Sequence, residues 1–213
     1  MKKQVLAMGG GGFTSKPENL KLDEYLLSLC DKKNPKVCFI PTASGDDESY
    51  RRQFYSSYKK LNCETSHLSL FWPPEGDLRE FVLDKDIFYV GGGNTRNLMV
   101  LWKEWGLDKY LFEAWNNGAI MAGLSAGSIC WFEKGLTDSV TGKLLPLDCL
   151  GFLRNSNCPH FDSESQRRPE YHKAILNGSG LDYGLLEYLP KNNTIDTGNI
   201  VYTSGSDRIF LPG

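Results

Sequence analysis

Short apolar runs alternate with amphipathic segments along most of the chain. The apolar runs predict buried strands, because the strands of a parallel sheet are covered on both faces and need no polar side. The segments between them repeat apolar residues at helical spacing, as Leu22, Leu26 and Leu29 do. Strands that alternate with helices indicate βαβ units, and therefore a mostly parallel central sheet flanked by helices on both faces. The predicted strands are Gln4–Met8, Lys36–Pro41, Cys63–Leu70, Asp86–Val90 and Ala119–Gly123, and the predicted helices are Leu20–Cys30, Glu48–Leu61, Asn94–Trp105, Leu107–Trp115, one from Ser125 onward and one near Pro169–Leu176.

The segment from Thr137 to Gly213 is richer in Gly, Pro, Asn and Asp, and it predicts turns and short strands around the last helix. No internal repeat or low-complexity linker interrupts the chain. A chain of 213 residues can bury about 70% of its surface around one core. We therefore expect residues 1–213 to form a single α/β domain.

The overall composition restricts the classes of partner. It is 40% hydrophobic and 23% charged, as in globular proteins, and no apolar stretch is long enough to cross a bilayer. The start, MKKQVLAMGGGG, has too short an apolar run for a secretory signal, so we expect a cytoplasmic protein without a membrane partner. The formal net charge is −2 and the basic residues are scattered, which argues against nucleic-acid binding. Small molecules or peptides are the expected partners.

The segment Gly123–Gly127 (GLSAG) has the G-x-S-x-G pattern of a nucleophile elbow, and it lies between a predicted apolar strand and a predicted helix. In this sharp turn the central serine takes strained backbone angles, its neighbours must be small, and its hydroxyl stands above the carboxyl edge of the sheet. We interpret Ser125 as a nucleophile and the amide N–H of Ala126 as a donor to developing negative charge. The alternative is a tight turn without a catalytic role. Thiolate chemistry is disfavoured, because the elbow residue is not cysteine.

A serine hydroxyl needs a neighbouring base, and the chain contains three histidines. His67 lies in a predicted strand, and His172 lies in a charged predicted helix. His160 lies in a polar, proline-containing segment downstream of the elbow, so it is the candidate general base. The alternative for His160 is a core histidine bonded to the backbone.

The acid that would orient the imidazole is not determined by these patterns, because triad order varies among folds. A metal site at Cys158, His160 and Asp162, which could share one face of a strand, is disfavoured by the intervening proline and the lack of further ligands. The six cysteines form no CxxC pair, which favours reduced thiols, and we expect no metal ion or organic cofactor. The candidate acids are Glu133, Asp138, Asp162, Glu187 and Asp196.

Two further features are candidates for oxyanion or substrate contacts. Gly91–Thr95 (GGGNT) follows a predicted strand and opens a helix, so its backbone N–H groups suit an oxyanion hole or a carboxylate pocket. It lacks the ending of a P-loop, and the cluster Gly9–Gly12 does not fit the dinucleotide pattern G-x-G-x-x-G. Arg167 and Arg168, at the start of a predicted helix, could bind a substrate carboxylate, or they could form a solvated surface pair.

Three blocks of sequence bear on the family: GGGNT, then GLSAGSICWFEKGLTDS, then LDCLGF followed by NCPHFDSESQRRPEYH. Together they resemble the peptidase E family of serine peptidases, which includes aspartyl dipeptidases and the related cyanophycinases. The resemblance extends from about Gly9 to Glu187. It implies a flavodoxin-like fold similar to class I glutamine amidotransferase domains, with Ser125 as the nucleophile and His160 as the base.

The same resemblance implies the remaining site residues. It points to Gly92 or Gly93 together with Ala126 as oxyanion donors, and to Asn94 and an arginine within Gln166–Arg168 as substrate contacts. The stretch Tyr183–Glu187 is similar to the family segment that carries a triad glutamate, so Glu187 is the implied acid and Asp138 the second choice. After Glu187 the sequence departs from the family's usual glycine-alanine continuation and ends early, so a truncated or divergent terminus is a further expectation.

The implied function is a serine peptidase that hydrolyses small peptides, in particular dipeptides with an N-terminal aspartate, through a Ser–His–acid triad and an acyl-enzyme. One alternative is a family member without activity that binds small molecules. Another is a hydrolase of a different amide or an isopeptide. We expect a monomer or a homodimer, since symmetric dimers are the commonest oligomers.

Overall fold

The computed structural model describes residues 3–15, 17–181 and 199–204. Its strands are Lys3–Met8 (β1), Lys36–Ile40 (β2), Glu64–His67 (β3), Ile87–Val90 (β4), Ile120–Leu124 (β5), Phe132–Thr137 (β6), Leu145–Asp148 (β7), Leu153–Asn157 (β8) and Asn199–Ser204 (β9). Its helices are Gly12–Ser15 (α1), Lys21–Ser28 (α2), Glu48–Tyr58 (α3), Leu78–Leu83 (α4), Thr95–Trp105 (α5), Leu107–Asn116 (α6), Ala126–Ile129 (α7) and Arg167–Leu176 (α8), with a 3-10 turn at Thr42–Ser44.

The predicted parallel α/β sheet is confirmed. Five parallel strands lie in the order β3-β2-β4-β5-β1, and β9 pairs antiparallel with the outer side of β1. The carboxyl ends of β1, β4 and β5 are therefore neighbours at one edge of the sheet, which is where ligands bind in open α/β sheets.

Alternate residues of the central strands face two separate apolar layers. On β1, Val5 and Ala7 belong to the layer that includes α5 and α6, whereas Leu6 and Met8 belong to the layer that includes α1, α2 and α3. Because both faces are covered, every residue of β4 and β5 is buried. This burial accounts for the continuous apolar runs in the sequence.

A second, smaller sheet follows the elbow and carries the chain back towards it. Strand β6 pairs antiparallel with β7 and parallel with β8. At the end of β8, the Asn157 amide donates a hydrogen bond to the Ser128 hydroxyl of α7 at 3.1 Å. This contact brings the segment that carries His160 beside the elbow helix.

The structure differs from the prediction at several element ends. The strand predicted over Cys63–Leu70 is confined to β3, because the Asp46 carboxylate accepts hydrogen bonds from the N–H groups of Leu70 (2.9 Å) and Phe71 (3.1 Å) and holds them in a loop. Helix α4 was not predicted, although Asp77 caps it by accepting from the Glu80 N–H at 2.8 Å, a spacing typical of helix starts. Within the described ranges, no helix has the length and apolar character needed to cross a membrane.

Candidate active site

The predicted nucleophile elbow is present between β5 and α7. Ser125 has φ 52° and ψ −115°, a conformation that residues other than glycine adopt only rarely. Its N–H donates to the Met8 carbonyl at 3.1 Å, and its own carbonyl accepts from the Ile129 N–H at 3.1 Å. Strand β1 and helix α7 therefore hold the strained residue from both sides, which is how such strain persists in folded proteins.

The two glycines of the motif are required by close backbone contacts. A Cβ atom on Gly123 would lie 2.4 Å from the Gly127 carbonyl oxygen, and one on Gly127 would lie 2.2 Å from the Val90 carbonyl oxygen. No side chain fits at either distance. The positions two residues before and two residues after Ser125 must therefore lack a side chain, for the steric reason that the motif indicated.

The Ser125 hydroxyl lies next to the His160 imidazole, with 2.9 Å between Oγ and Nε2. His160 itself has a positive φ of 57°, and Gly10 of the first glycine cluster packs against the Nδ1 side of its ring, since a Cβ there would lie 3.8 Å from Nδ1. Burial lowers the pKa of His160; the Glu164 carboxylate opposes this effect and the Arg167 guanidinium adds to it. A neutral imidazole can accept the serine proton, so the pair has the geometry of a nucleophile and its base.

The other two histidines take part in different contacts. His67 lies at the far edge of the sheet, with Nδ1 2.7 Å from the Tyr55 hydroxyl and Nε2 3.1 Å from an Arg51 nitrogen. The ring of His172 on α8 packs against Phe161, with 5.9 Å between centroids. Of the three histidines, the structure brings His160 to the elbow serine.

The orienting acid stays a prediction. Glu187 and Asp196 lie outside the described residues. Glu133 accepts a hydrogen bond from the Asn155 N–H at 2.7 Å, and Asp138 lies 3.9 Å from the Arg167 guanidinium. Among the residues that the structure describes, no carboxylate accepts a hydrogen bond from His160.

The predicted oxyanion donors differ in what they already bind. The Gly92 N–H donates to the Tyr50 hydroxyl at 3.4 Å. Within the described part of the chain, the N–H groups of Gly93 and Ala126 have no hydrogen-bond acceptor. Gly92 nevertheless lies beside the nucleophile, because a Cβ on it would be 3.3 Å from the Ser125 Cβ. The free N–H groups of Gly93 and Ala126 are therefore the available donors.

Asn94 is engaged with the protein itself. Its Oδ1 accepts from the Asn97 N–H at 2.8 Å and caps α5, and its Nδ2 donates to the Ser139 carbonyl at 3.1 Å. The Thr95 N–H donates to the Ser139 hydroxyl at 2.9 Å. Asn94 thus ties the glycine loop to the loop after β6, and its contact with substrate stays a prediction.

The two predicted arginines have different surroundings. The Arg167 side chain is only 6% exposed, and it donates to the Glu164 carboxylate at 2.7 Å and to the Leu136 carbonyl at 3.2 Å. Arg168 is exposed, with its guanidinium 5.0 Å from the centre of the Phe161 ring. Arg168 is therefore the freer of the two to bind a substrate carboxylate.

A cavity of about 500 Å³ lies beside these arginines. The carboxylates of Asp138, Glu164 and Glu170 line it, together with Lys143 and Gln166. Because Asp138 and Glu164 both act on the pKa of His160, the cavity lies near the candidate base. Its lining offers carboxylates to a positively charged group.

The residues considered for a metal site do not form one in the described part of the chain, where no group of three or more His, Cys, Asp or Glu side chains is arranged to hold a metal ion. Burial raises the pKa of the Cys158 thiol to about 12, so it stays protonated at neutral pH. A protonated thiol is a poor ligand and a poor nucleophile.

Sequence reasoning missed Tyr50, whose hydroxyl contacts the glycine loop. A signal was available, because Tyr50 lies in the first turn of the helix that follows β2. In a parallel sheet, that turn lies at the carboxyl edge where ligands bind.

Comparison with known proteins gives a consistent result. Residues 5–187 match the model of peptidase family S51. A Bacillus subtilis (strain 168) protein, the uncharacterized peptidase YgaJ, is 58% identical over 175 residues, which cover 82% of this chain and 76% of that protein. An uncharacterized peptidase of Listeria monocytogenes is 27% identical over 135 residues, which cover 60% of this chain and 66% of the relative.

Two solved structures share the fold. One, from Listeria monocytogenes EGD-e and provisionally named peptidase E, has a TM-score of 0.67 at 18% identity and covers 99% of this chain and 98% of its own. The other, a peptidase from an acI-B1 Actinobacterium, has a TM-score of 0.62 at 23% identity and covers 83% of this chain and 75% of its own. At these identities the likeness concerns the fold alone.

Proposed function

Because the chain belongs to peptidase family S51, and is therefore a peptidase, we propose that it is a serine peptidase with Ser125 as nucleophile and His160 as general base. The observation that carries this proposal is the 2.9 Å contact between Ser125 Oγ and His160 Nε2 at a strained strand-to-helix turn. Strain that the surrounding structure maintains is typical of functional sites.

The proposed reaction follows from these positions. Ser125 Oγ attacks the scissile carbonyl carbon while His160 Nε2 takes the hydroxyl proton. The carbonyl oxygen becomes an oxyanion, which accepts hydrogen bonds from the N–H groups of Gly93 and Ala126. When the C–N bond breaks, protonated His160 gives its proton to the leaving amine. Water then attacks the acyl carbon while His160 takes a proton from it, and that proton passes to Ser125 Oγ as the bond to the acyl group breaks.

Glu187 is the acid that we propose to orient His160, on the resemblance of its segment to the family. Glu187→Gln should slow the enzyme by about 10⁴-fold, the size of effect seen when a triad acid is replaced by its amide. Glu104→Gln is the matched control, because Glu104 is an exposed glutamate of α5 that is not among the candidate acids. If Asp138→Asn causes the large loss and Glu187→Gln does not, Asp138 is the acid.

Small peptides with an N-terminal aspartate are the proposed substrates. The support is the exposed Arg168 beside the His160 segment, whose guanidinium can bind a carboxylate in a bidentate manner. We expect such peptides to be the partners, rather than nucleic acids or membranes, and we expect the protein to act in the cytoplasm as a monomer or homodimer.

A fluorophosphonate probe tests the nucleophile directly. The folded protein should be labelled at Ser125, and labelling should be lost in Ser125→Ala and strongly slowed in His160→Gln. Ser28→Ala, at an exposed serine of α2, should label like the unmodified protein. If the folded protein is not labelled at all, the chain is better described as a binding protein that keeps the fold.

A dipeptide panel tests the substrate class. Asp-X dipeptides should be cleaved faster than Asn-X and Ala-X dipeptides, and Arg168→Ala should reduce that preference. Arg154→Ala is the control, at an exposed arginine of β8. Equal rates for all dipeptides together with normal probe labelling would indicate a hydrolase of another amide or an isopeptide.

A further inference from the structure

The hydroxyl of Tyr50 lies between the two glycine-rich loops that flank the candidate site. It accepts a hydrogen bond from the Gly92 N–H at 3.4 Å, and it shares another with the Thr14 hydroxyl at 3.0 Å. Thr14 belongs to α1, which begins at the end of the first glycine cluster. Burial raises the pKa of Tyr50, so the side chain keeps its proton at neutral pH and can take part in both contacts.

Helix α3 holds Tyr50 in this position. The Tyr50 N–H donates to the capping Asp47 carboxylate at 2.8 Å, and the ring packs edge-on against Phe39 with 4.9 Å between centroids. One turn further along α3, the Gln53 amide donates to the carbonyls of Phe13 (2.9 Å) and Thr14 (3.2 Å). One face of α3 therefore binds α1 and, through Tyr50, also the loop after β4.

The backbone on either side of Gly93 is fixed. Upstream, the Gly92 N–H is bound by Tyr50, and downstream, the Asn94 N–H donates to the Ala43 carbonyl at 2.7 Å. Gly93 has φ 139°, and a Cβ on it would lie 2.1 Å from the Ala43 oxygen. The free N–H of Gly93 is thus the middle one of three consecutive amides, and both of its neighbours are held.

We propose that Tyr50 is a positioning residue of the oxyanion hole, which holds the Gly92 amide so that the Gly93 N–H stays directed at the developing oxyanion. This inference rests on the proposed function, because the oxyanion forms only when Ser125 attacks a carbonyl. Preorganised donors stabilise a transition state without reorganising during the reaction, so a residue that fixes a donor raises the rate of the chemical step.

The hydrogen bond itself is tested by amide hydrogen exchange. In Tyr50→Phe, the Gly92 N–H should exchange about threefold to tenfold faster, as expected for the loss of one hydrogen bond. Tyr55→Phe is the matched control on the same helix, because its hydroxyl contacts His67 at the far edge of the sheet. Unchanged exchange of the Gly92 N–H in Tyr50→Phe would overturn the proposal.

The positioning role is tested by the kinetics of fluorophosphonate labelling, because the phosphoryl oxygen occupies the same hole. Tyr50→Phe should lower the limiting labelling rate about tenfold, which is less than the loss of a whole oxyanion donor. The probe concentration that gives the half-maximal rate should stay the same, whereas a general loss of structure would change both values. Tyr55→Phe should leave both unchanged, and an unaltered limiting rate in Tyr50→Phe would refute the role.

Failure of the proposed function would have a different signature. If the unmodified protein is not labelled, Ser125 is not a reactive nucleophile and Tyr50 has no oxyanion hole to position, whatever the exchange rate of the Gly92 N–H. If the unmodified protein is labelled and Tyr50→Phe is labelled at the same limiting rate, the serine peptidase proposal stands and the positioning role is wrong.

Discussion

The environment of His160 sets the pH dependence of the proposed activity. Burial lowers its pKa below the ordinary value of 6.5, so the neutral, proton-accepting form persists to lower pH than for a solvent-exposed histidine. Activity should therefore fall on acidification with a midpoint below pH 6.5. The measurement is kcat/KM, or the labelling rate constant, as a function of pH. A midpoint at or above that value would mean that a carboxylate bound to the imidazole outweighs burial.

Ser125 and His160 are separated by 35 residues in sequence and joined by one hydrogen bond, and no local pattern indicates the distance between them. The G-x-S-x-G pattern identified Ser125, because the steric needs of a sharp turn restrict the residues at neighbouring positions. His160 was selected by elimination among three histidines. Tyr50 was missed, because its contact with Gly92 spans 42 residues and depends on how two elements pack.

At the scale of elements, some boundaries that depend on local signals were predicted well, although α4 was missed despite its local cap, and boundaries that depend on distant side chains were not predicted. Helix α5 ends at Trp105 as expected, followed by Gly106 in the left-handed conformation that commonly terminates helices. By contrast, the strand predicted after Cys63 is cut short by the carboxylate of Asp46. Nothing in the pattern of residues 63–70 could indicate that contact.

The glycine loop before α5 allows a sharp test of geometry. Gly93→Ala should reduce the labelling rate by about 10²-fold or more, because the new methyl group would displace the amide proposed as an oxyanion donor. Gly106→Ala is the control at the other end of α5, where φ is also positive but nothing lies within 4 Å of a new Cβ. The control should lose about 1 kcal/mol of stability and keep its activity. Equal labelling of the two variants would contradict the role of Gly93.

At the scale of the whole molecule, the sequence predicted the fold class and the family, and both are confirmed by the parallel sheet and the match to family S51. Alternation of strands and helices indicates the fold class redundantly, so errors at single boundaries do not change it, whereas the family was indicated by the resemblance of the GGGNT, GLSAG and NCPHFD blocks. The single domain over residues 1–213 stays a prediction. So does the triad acid, because Glu187 lies outside the described residues.

A buried carboxyl group in the layer of α2 and α3 makes the stability of the protein depend on pH. Asp23 is 1% exposed; its Oδ1 accepts from the Tyr58 hydroxyl at 3.0 Å, and its Oδ2 has no partner in the described part of the chain. Burial, the largest influence, raises its pKa from 3.8 to about 6. The folded protein therefore keeps this proton at pH values where the unfolded chain has lost it. The contribution of Asp23 to the free energy of unfolding is therefore most favourable below pH 3.8, where the group is protonated in both states, and is lost as the pH rises through about 6.

Asp23→Asn removes this titration and keeps an acceptor for Tyr58. The stability of the variant relative to the unmodified protein should rise between pH 4 and pH 8, by on the order of 3 kcal/mol. Urea unfolding at both pH values measures the difference, and Asp31→Asn is the control at an exposed aspartate. If the stability of Asp23→Asn relative to the unmodified protein is the same at both pH values, the pKa of Asp23 does not differ between the folded and unfolded states and the prediction is wrong.

The pairing of β9 with β1 has a consequence for the newly made chain. Strand β1 is synthesised first, and its Met8 carbonyl supports the backbone of Ser125, yet the strand that covers its outer side comes from residues 199–204. While the ribosome is still adding the intervening residues, β1 keeps an open edge, and the sheet that carries the nucleophile is incomplete. An unpaired strand edge can pair with another chain, so β1 is open to edge-to-edge association until residues 199–204 have been added.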